Sequence, residues 1–185
     1  MRLILLLPFA LLVAACDRQK PAGQQGAVEV QAPVKGADRS RRGTPAPDTG
    51  FKDPDGADIS LADFEGTPVL VNLWAIWCAP CVKELPTLDR LAGLRDGELE
   101  VVTVSQDRAP QWTVEAYLDK LGTTRLGSYH DPGMALSAAL GAEVLPVSIL
   151  FDARGREVWR FVGDLDWTGA EATALLAEAS PAKAR

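Results

Sequence analysis

The strongest chemical signal in this 185-residue chain is a pair of cysteines three positions apart, Cys78 and Cys81, within Trp77-Cys78-Ala79-Pro80-Cys81. Such a pair can be a structural disulfide, part of a metal site or a redox dithiol. Zinc is the weakest fit, because a closed site wants four ligands and only His130 stands outside the carboxylates. A soft two-thiolate copper(I) site stays open. A purely structural bridge would do little, since so small a loop removes little unfolded-chain entropy. The redox reading explains the position. A buried strand ends and a helix begins there, so Cys78 lies at a helix N-terminus, where unpaired N–H groups and the helix dipole favour the thiolate. An exposed Cys78 would attack, or be attacked in, a partner's disulfide, and a shielded Cys81, one turn into the helix, would resolve the mixed disulfide. Pro80 stiffens the loop at a position that needs no N–H, and Trp77 offers a flat apolar platform beside the reactive sulfur.

The elements that position this pair follow from hydrophobic spacing. Residues 68–75, Pro-Val-Leu-Val-Asn-Leu-Trp-Ala, form a near-continuous apolar run after a proline, the pattern of a strand buried on both faces. From Pro80 to about Leu94, apolar residues recur at helical spacing, with Pro86 expected to bend or interrupt the helix. Residues 99–104 read as a second strand, 111–121 as a helix, and Asp131-Pro132-Gly133 as the opening of a short helix over 134–140. A hairpin over 147–151 and 157–162 turns at Asp152-Ala153-Arg154-Gly155, and a helix is expected over 168–179. Before all of these, Asp53-Pro54-Asp55-Gly56 is a turn signal joining two short edge strands. The order is a β-α-β half followed by a β-β-α half, an α/β architecture with right-handed crossovers.

The chain's start has a different character. Arg2 and the apolar run 3–15 have the form of a signal peptide, and the run is too short to span a bilayer, which takes roughly 20 apolar residues. It ends in Val13-Ala14-Ala15-Cys16, which resembles a bacterial lipobox with Cys16 as the lipidated residue. Cysteine arithmetic agrees: of three cysteines, lipidation removes the odd one while the other two pair. Residues 1–15 are read as the lipoprotein signal, 16–45 as lipidated Cys16 and a flexible tether poor in large apolar residues, and 46–185 as the domain. Residues 17–45 carry six Lys/Arg against three Asp/Glu, whereas 46–185 carry twelve against twenty-two. So acidic a domain argues against nucleic acid as a partner. A lone histidine before Asp-Pro-Gly reads as a loop residue, and His130 receives no role.

Taken together these features resemble the thioredoxin superfamily, specifically its TlpA/ResA-like branch of membrane-anchored bacterial thiol-disulfide oxidoreductases. The similarity spans about Ala46 to Ala179. It rests on residues 64–75, on the Trp77-to-Cys81 motif with Glu84-Leu85-Pro86 behind it, and on Leu145-Pro146 after Gly141. The resemblance implies a thioredoxin fold, a central mixed sheet flanked by helices, here with an extra N-terminal β-hairpin. It implies that Leu145-Pro146 is the family's cis-proline and that Trp77, Leu145 and Pro146 meet the substrate. It also implies that Glu84 handles a proton for the buried thiol, with its pKa raised beside the apolar helix start. Where cytosolic thioredoxin has a buried aspartate this chain has Asn72, which cannot titrate. Ala79-Pro80 adds no charge to the pair, which leans toward a reductant. The implied partners are client disulfides in cytochrome c or cytochrome oxidase maturation, a DsbD/CcdA-type electron donor and the membrane itself, and no cofactor is called for. Two other functions compete: a copper(I) carrier using Cys78 and Cys81, and a thiol peroxidase. The peroxidase would want threonine or serine where Ala75 stands.

Overall fold

A computed structural model describes residues 36–179. The signal peptide, Cys16 and most of the expected tether therefore lie outside the described residues. Eight strands form one sheet in the order β1-β8-β7-β4-β5-β6-β2-β3. They are β1 (Gly36–Asp38), β2 (Phe51–Lys52), β3 (Asp58–Ile59), β4 (Val69–Trp74), β5 (Glu100–Ser105), β6 (Tyr129–His130), β7 (Val147–Phe151) and β8 (Glu157–Val162). Helices α1 (Ala79–Leu94), α2 (Gln111–Leu121), α3 (Ala135–Leu140) and α4 (Ala170–Leu176) join them. β4 pairs parallel with β5 and antiparallel with β7, so the sheet is mixed, as expected. The N-terminal hairpin is β2 with β3, and it extends the sheet through β6.

All six residues of β4 are buried. Because side chains alternate along a strand, Leu70 and Trp74 enter one core with Leu85, Leu88, Trp159 and Trp167, while Val69, Val71 and Leu73 enter the other with Leu136 and Leu140. Asn72 shares the alternation of Leu70 and Trp74 and thus points toward α1, where the only polar residue buried in that helix is Glu84. Pro86 lies inside α1 without interrupting it.

One expected boundary requires correction. The sequence predicts a tether up to residue 45, yet β1 pairs antiparallel with β8, Gly36 opposite Val162 and Asp38 opposite Arg160. The strap continues beyond β1. Gly43 donates to the Glu157 carbonyl at 2.7 Å, Glu157 N–H to Thr44 at 2.9 Å, and Ala46 to Gly155 at 2.8 Å. Arg39 pairs with Glu178, as does Arg42, and Arg41 donates to the Leu140 carbonyl at 2.7 Å. These are backbone and charged contacts, which leave no run of apolar residues in the sequence. Three of the six basic residues assigned to the tether are therefore folded into the domain.

Candidate active site

Cys78 and Cys81 form a disulfide, with an S–S distance of 1.98 Å. α1 begins at Ala79, so Cys78 is its N-cap residue in extended conformation, and Pro80 occupies the second helical position, where a missing N–H costs nothing. Cys81 is fully buried. Cys78 was expected to be exposed but is only 6% exposed in the disulfide state, because it packs into the α1-side core. Its neighbour Trp77 is 70% exposed, and Ala79 and Pro80 are exposed with it.

The loop between β4 and α1 is held from beneath. Asp107 accepts hydrogen bonds from the Ile76 N–H and the Ser105 hydroxyl, both at 2.8 Å. His130 Nε2 lies 2.7 Å from the Asp107 carbonyl oxygen, and the Gln106 N–H donates to the Trp74 carbonyl at 2.8 Å. His130 is thus a buried end-of-strand residue and not a loop residue. Asp107 was not anticipated, although a Ser-Gln-Asp step directly after an apolar strand was a signal that could have found it.

Glu84 lies on the turn after Cys81 and is 2% exposed. Its Oε1 accepts from Asn72 Nδ2 at 2.8 Å, and its Oε2 accepts from Trp167 Nε1 at 2.9 Å and the Leu165 N–H at 3.1 Å. Asn72 also donates to Ser148 Oγ at 2.9 Å, tying β4 to β7 through the same side chain. Burial pushes the Glu84 carboxyl up to about 7, against the three donors, which favour the anion. Such a group can hold or release a proton near neutrality. Trp167, 83 residues away, was not foreseen as its partner.

The Leu145–Pro146 peptide is cis. It lies one residue before Val147, which is opposite Leu73, so it sits at the same end of the sheet as the disulfide. Leu145 is half-buried and Pro146 buried. Among the described residues, no group of three or more His, Cys, Asp or Glu side chains is arranged to hold a metal ion.

A dithiol at a helix start, a titratable buried carboxyl one turn on and a cis-proline at the same sheet end form a thiol-exchange arrangement. The redoxin family matches residues 41–176. The chain belongs to that family. It is 32% identical over 125 residues to the thiol-disulfide oxidoreductase ResA of Halalkalibacterium halodurans, covering 66% of this chain and 70% of that one. It is 34% identical over 118 residues to the thiol:disulfide interchange protein HelX of Rhodobacter capsulatus, covering 61% and 64%. Among solved structures, the thioredoxin domain of a thiol-disulfide oxidoreductase from Bacteroides vulgatus superposes with a TM-score of 0.59 at 24% identity, over 74% of this chain and 96% of that one, which supports the fold. This redoxin is a TlpA/ResA-like thiol-disulfide oxidoreductase of the thioredoxin superfamily, and its redox pair is Cys78–Cys81.

Proposed function

We propose that this oxidoreductase works on the periplasmic side of the bacterial inner membrane, tethered through lipidated Cys16, and reduces disulfides in client proteins. The Cys78 thiolate attacks a client sulfur, the client's S–S bond breaks, and its second sulfur leaves as a thiolate that takes a proton. Cys81 then attacks Cys78 in the mixed disulfide, releasing the client's first thiol and forming Cys78–Cys81. Glu84 takes the Cys81 proton in that step and returns it when the pair is reduced again. Trp77, Leu145 and Pro146 meet the client.

The observation that carries this reading is Glu84: a buried carboxyl near neutrality, on the turn after a buried cysteine, suits proton transfer within a dithiol cycle. The uncharged Ala79-Pro80 between the cysteines supports the reducing direction. Electrons would come from a membrane donor of the DsbD/CcdA type, and the clients would be thiols kept reduced for cytochrome c or cytochrome oxidase maturation. The likeness to a thiol-disulfide oxidoreductase and a thiol:disulfide interchange protein supports disulfide exchange with clients.

The test is a reduction potential and an insulin-disulfide assay on the purified protein, wild type against Cys78→Ser. A potential at or below about −200 mV, with turnover lost in Cys78→Ser, fits the proposal, while one near about −120 mV would reverse the direction. Copper(I) binding without exchange would favour a carrier. Fatty-acid labelling lost in Cys16→Ser tests the anchor.

A further inference from the structure

A β-turn carries the chain from β4 into α1. Its ends are Ala75 and Cys78, with the Cys78 N–H donating to the Ala75 carbonyl at 3.1 Å, and Ile76 and Trp77 stand at its tip. Cys81 belongs to α1 and is fully buried, so the helix fixes its place. Cys78 is held differently. It is the N-cap residue, extended at φ −91° and ψ 96°, and its position depends on the turn as much as on the helix. In the disulfide the two Cα atoms stand 5.2 Å apart. Any dithiol that is to close this bond must bring Cys78 back to that place.

Asp107 grips the turn from the end of β5. It is 6% exposed, and its Oδ2 accepts from the Ile76 N–H at 2.8 Å. Hydrogen bonds to a carboxylate are roughly twice as strong as those between neutral groups. The acceptor is itself braced. Ser105 Oγ donates to the same oxygen at 2.8 Å and accepts from the Asp107 N–H at 3.1 Å. One residue back, the Gln106 N–H donates to the Trp74 carbonyl at 2.8 Å. His130 Nε2 lies 2.7 Å from the Asp107 carbonyl oxygen, which can accept and not donate, so Nε2 carries the hydrogen. His130 stands on β6 opposite both Ser105 and Lys52, which links the brace to the N-terminal hairpin. A side chain anchored on three neighbouring elements can impose its geometry on the turn.

We propose that Asp107 is a positioning residue for thiol exchange: by holding the Ile76 N–H it keeps the Ala75–Cys78 turn ordered in the dithiol, and so keeps Cys78 within reach of Cys81. In the disulfide the covalent link holds the two residues together with or without Asp107. In the dithiol the sulfurs are free to part. A turn released from Asp107 then gains conformational entropy that the disulfide form cannot gain. Asp107 therefore raises the effective concentration of one thiol toward the other, which favours the disulfide and lowers the reduction potential of the pair. The same restraint keeps Cys81 close to Cys78 while Cys78 is bonded to a client. Both effects hold whichever way the electrons flow.

The test is the equilibrium of the pair with dithiothreitol, which gives two electrons and two protons to the Cys78–Cys81 disulfide and closes to its own cyclic disulfide. All forms carry Cys16→Ser, which leaves Cys78 and Cys81 as the only cysteines, and thiol trapping reads the ratio. Asp107→Ala should shift the equilibrium toward the dithiol about tenfold, a rise in potential of about 30 mV. Asp107→Asn keeps an acceptor oxygen of the same shape for Ile76 and should stay within about threefold of the parent. A purely structural Asp107 would weaken both redox forms alike and leave the ratio unmoved. A shift below about threefold in Asp107→Ala, or an equal shift in both variants, would overturn the proposal. Should Asp107→Ala fail to fold, hydrogen exchange of the parent decides. The Ile76 amide of the dithiol should exchange at least about tenfold more slowly than an unprotected amide, and exchange at the unprotected rate would overturn the proposal too. A parent potential in the oxidase range would reverse the proposed reducing direction and leave the ratio between variants as it is.

Discussion

Glu84 and Glu157 are buried to nearly the same degree, 2% and 3% exposed, but they are bound by different chemistry. Glu157, beneath the strap, meets Arg160 in a two-pronged pair, Oε1 to Nε and Oε2 to Nη2 each at 2.7 Å. Arg160 also donates to the Leu140 carbonyl at 2.9 Å, the same oxygen that Arg41 reaches. Glu84, at the redox end, is bound by an indole, an amide and a backbone N–H, all neutral. A guanidinium pairs with one buried carboxylate. Neutral dipoles compensate the other only in part, and desolvation lifts that carboxyl to about 7. Burial alone does not set the character of a carboxylate. The partner's charge does.

The hardest way to break the comparison is to take away the cation. Arg160→Met leaves buried Glu157 with only the half-exposed Arg41, 4.0 Å away, as a counter-charge and should cost about 3 kcal/mol in a denaturant unfolding titration. The double variant Glu157→Leu/Arg160→Met should recover most of that loss, since an apolar pair of similar volume often replaces a buried ion pair without penalty. Insulin reduction per folded molecule should be unchanged in both. A loss of turnover in the folded double variant would tie Glu157 to the chemistry after all.

The second test uses pH. Folded Glu84 keeps its proton up to about pH 7, whereas in the unfolded chain the carboxyl releases it near 4.5. Between those values the folded state binds more protons than the unfolded one. The stability this group contributes is therefore complete below about 4.5 and is lost as pH rises through about 7. The difference amounts to about 3 kcal/mol. Asp38, Asp166 and Glu178, whose carboxyls are held low by hydrogen bonds, titrate on the acid side of this window. Unfolding free energies between pH 5 and 8 should thus fall with pH in wild type and stay flatter in Glu84→Gln. Equal slopes would refute the uncompensated carboxyl.

Trp167→Phe sharpens the same point with a smaller effect. It removes one of three donors while keeping an aromatic ring in the core. A hydrogen bond to a charged group is worth roughly 1.5–3 kcal/mol, so the Glu84 titration should move up by about one to two pH units. The carboxyl stretch of Glu84 in infrared difference spectra against Glu84→Gln measures it. A pure packing change would lower stability and leave that midpoint in place.

The sequence made the two regions unequally visible. Cys78, Cys81 and Glu84 stand within seven residues behind an apolar strand; local spacing showed the cysteine pair, and the family resemblance pointed to the carboxyl. The donors to Glu84 come from β4 and from the loop that holds Leu165 and Trp167, and contacts across 80 residues leave no periodic trace. The strap was the opposite case. Gly36–Asp38 holds its place through backbone pairing and Arg39–Arg42 through ion pairs, so its composition imitates a linker. His130 was read from the Asp-Pro-Gly that follows it, and tertiary pairing with β5 buried it instead.

The smallest effect concerns the strap's outer clamp. Glu178 accepts from Arg39 Nε at 3.0 Å and also pairs with Arg42, with side chains 28% exposed for the acid and 43% and 48% for the arginines. Solvent screens such pairs, and each is worth at most about 1 kcal/mol. Glu178→Gln should therefore lower global stability by less than about 1 kcal/mol, several times less than Arg160→Met. Its effect should be local. Hydrogen exchange of the β1 amides should quicken relative to β4, because β1 is an edge strand of three residues that is paired on one side only. If exchange at β1 were unchanged, backbone pairing and the Arg41–Leu140 bond alone would hold the strap, and the clamp would be a surface contact with no structural share.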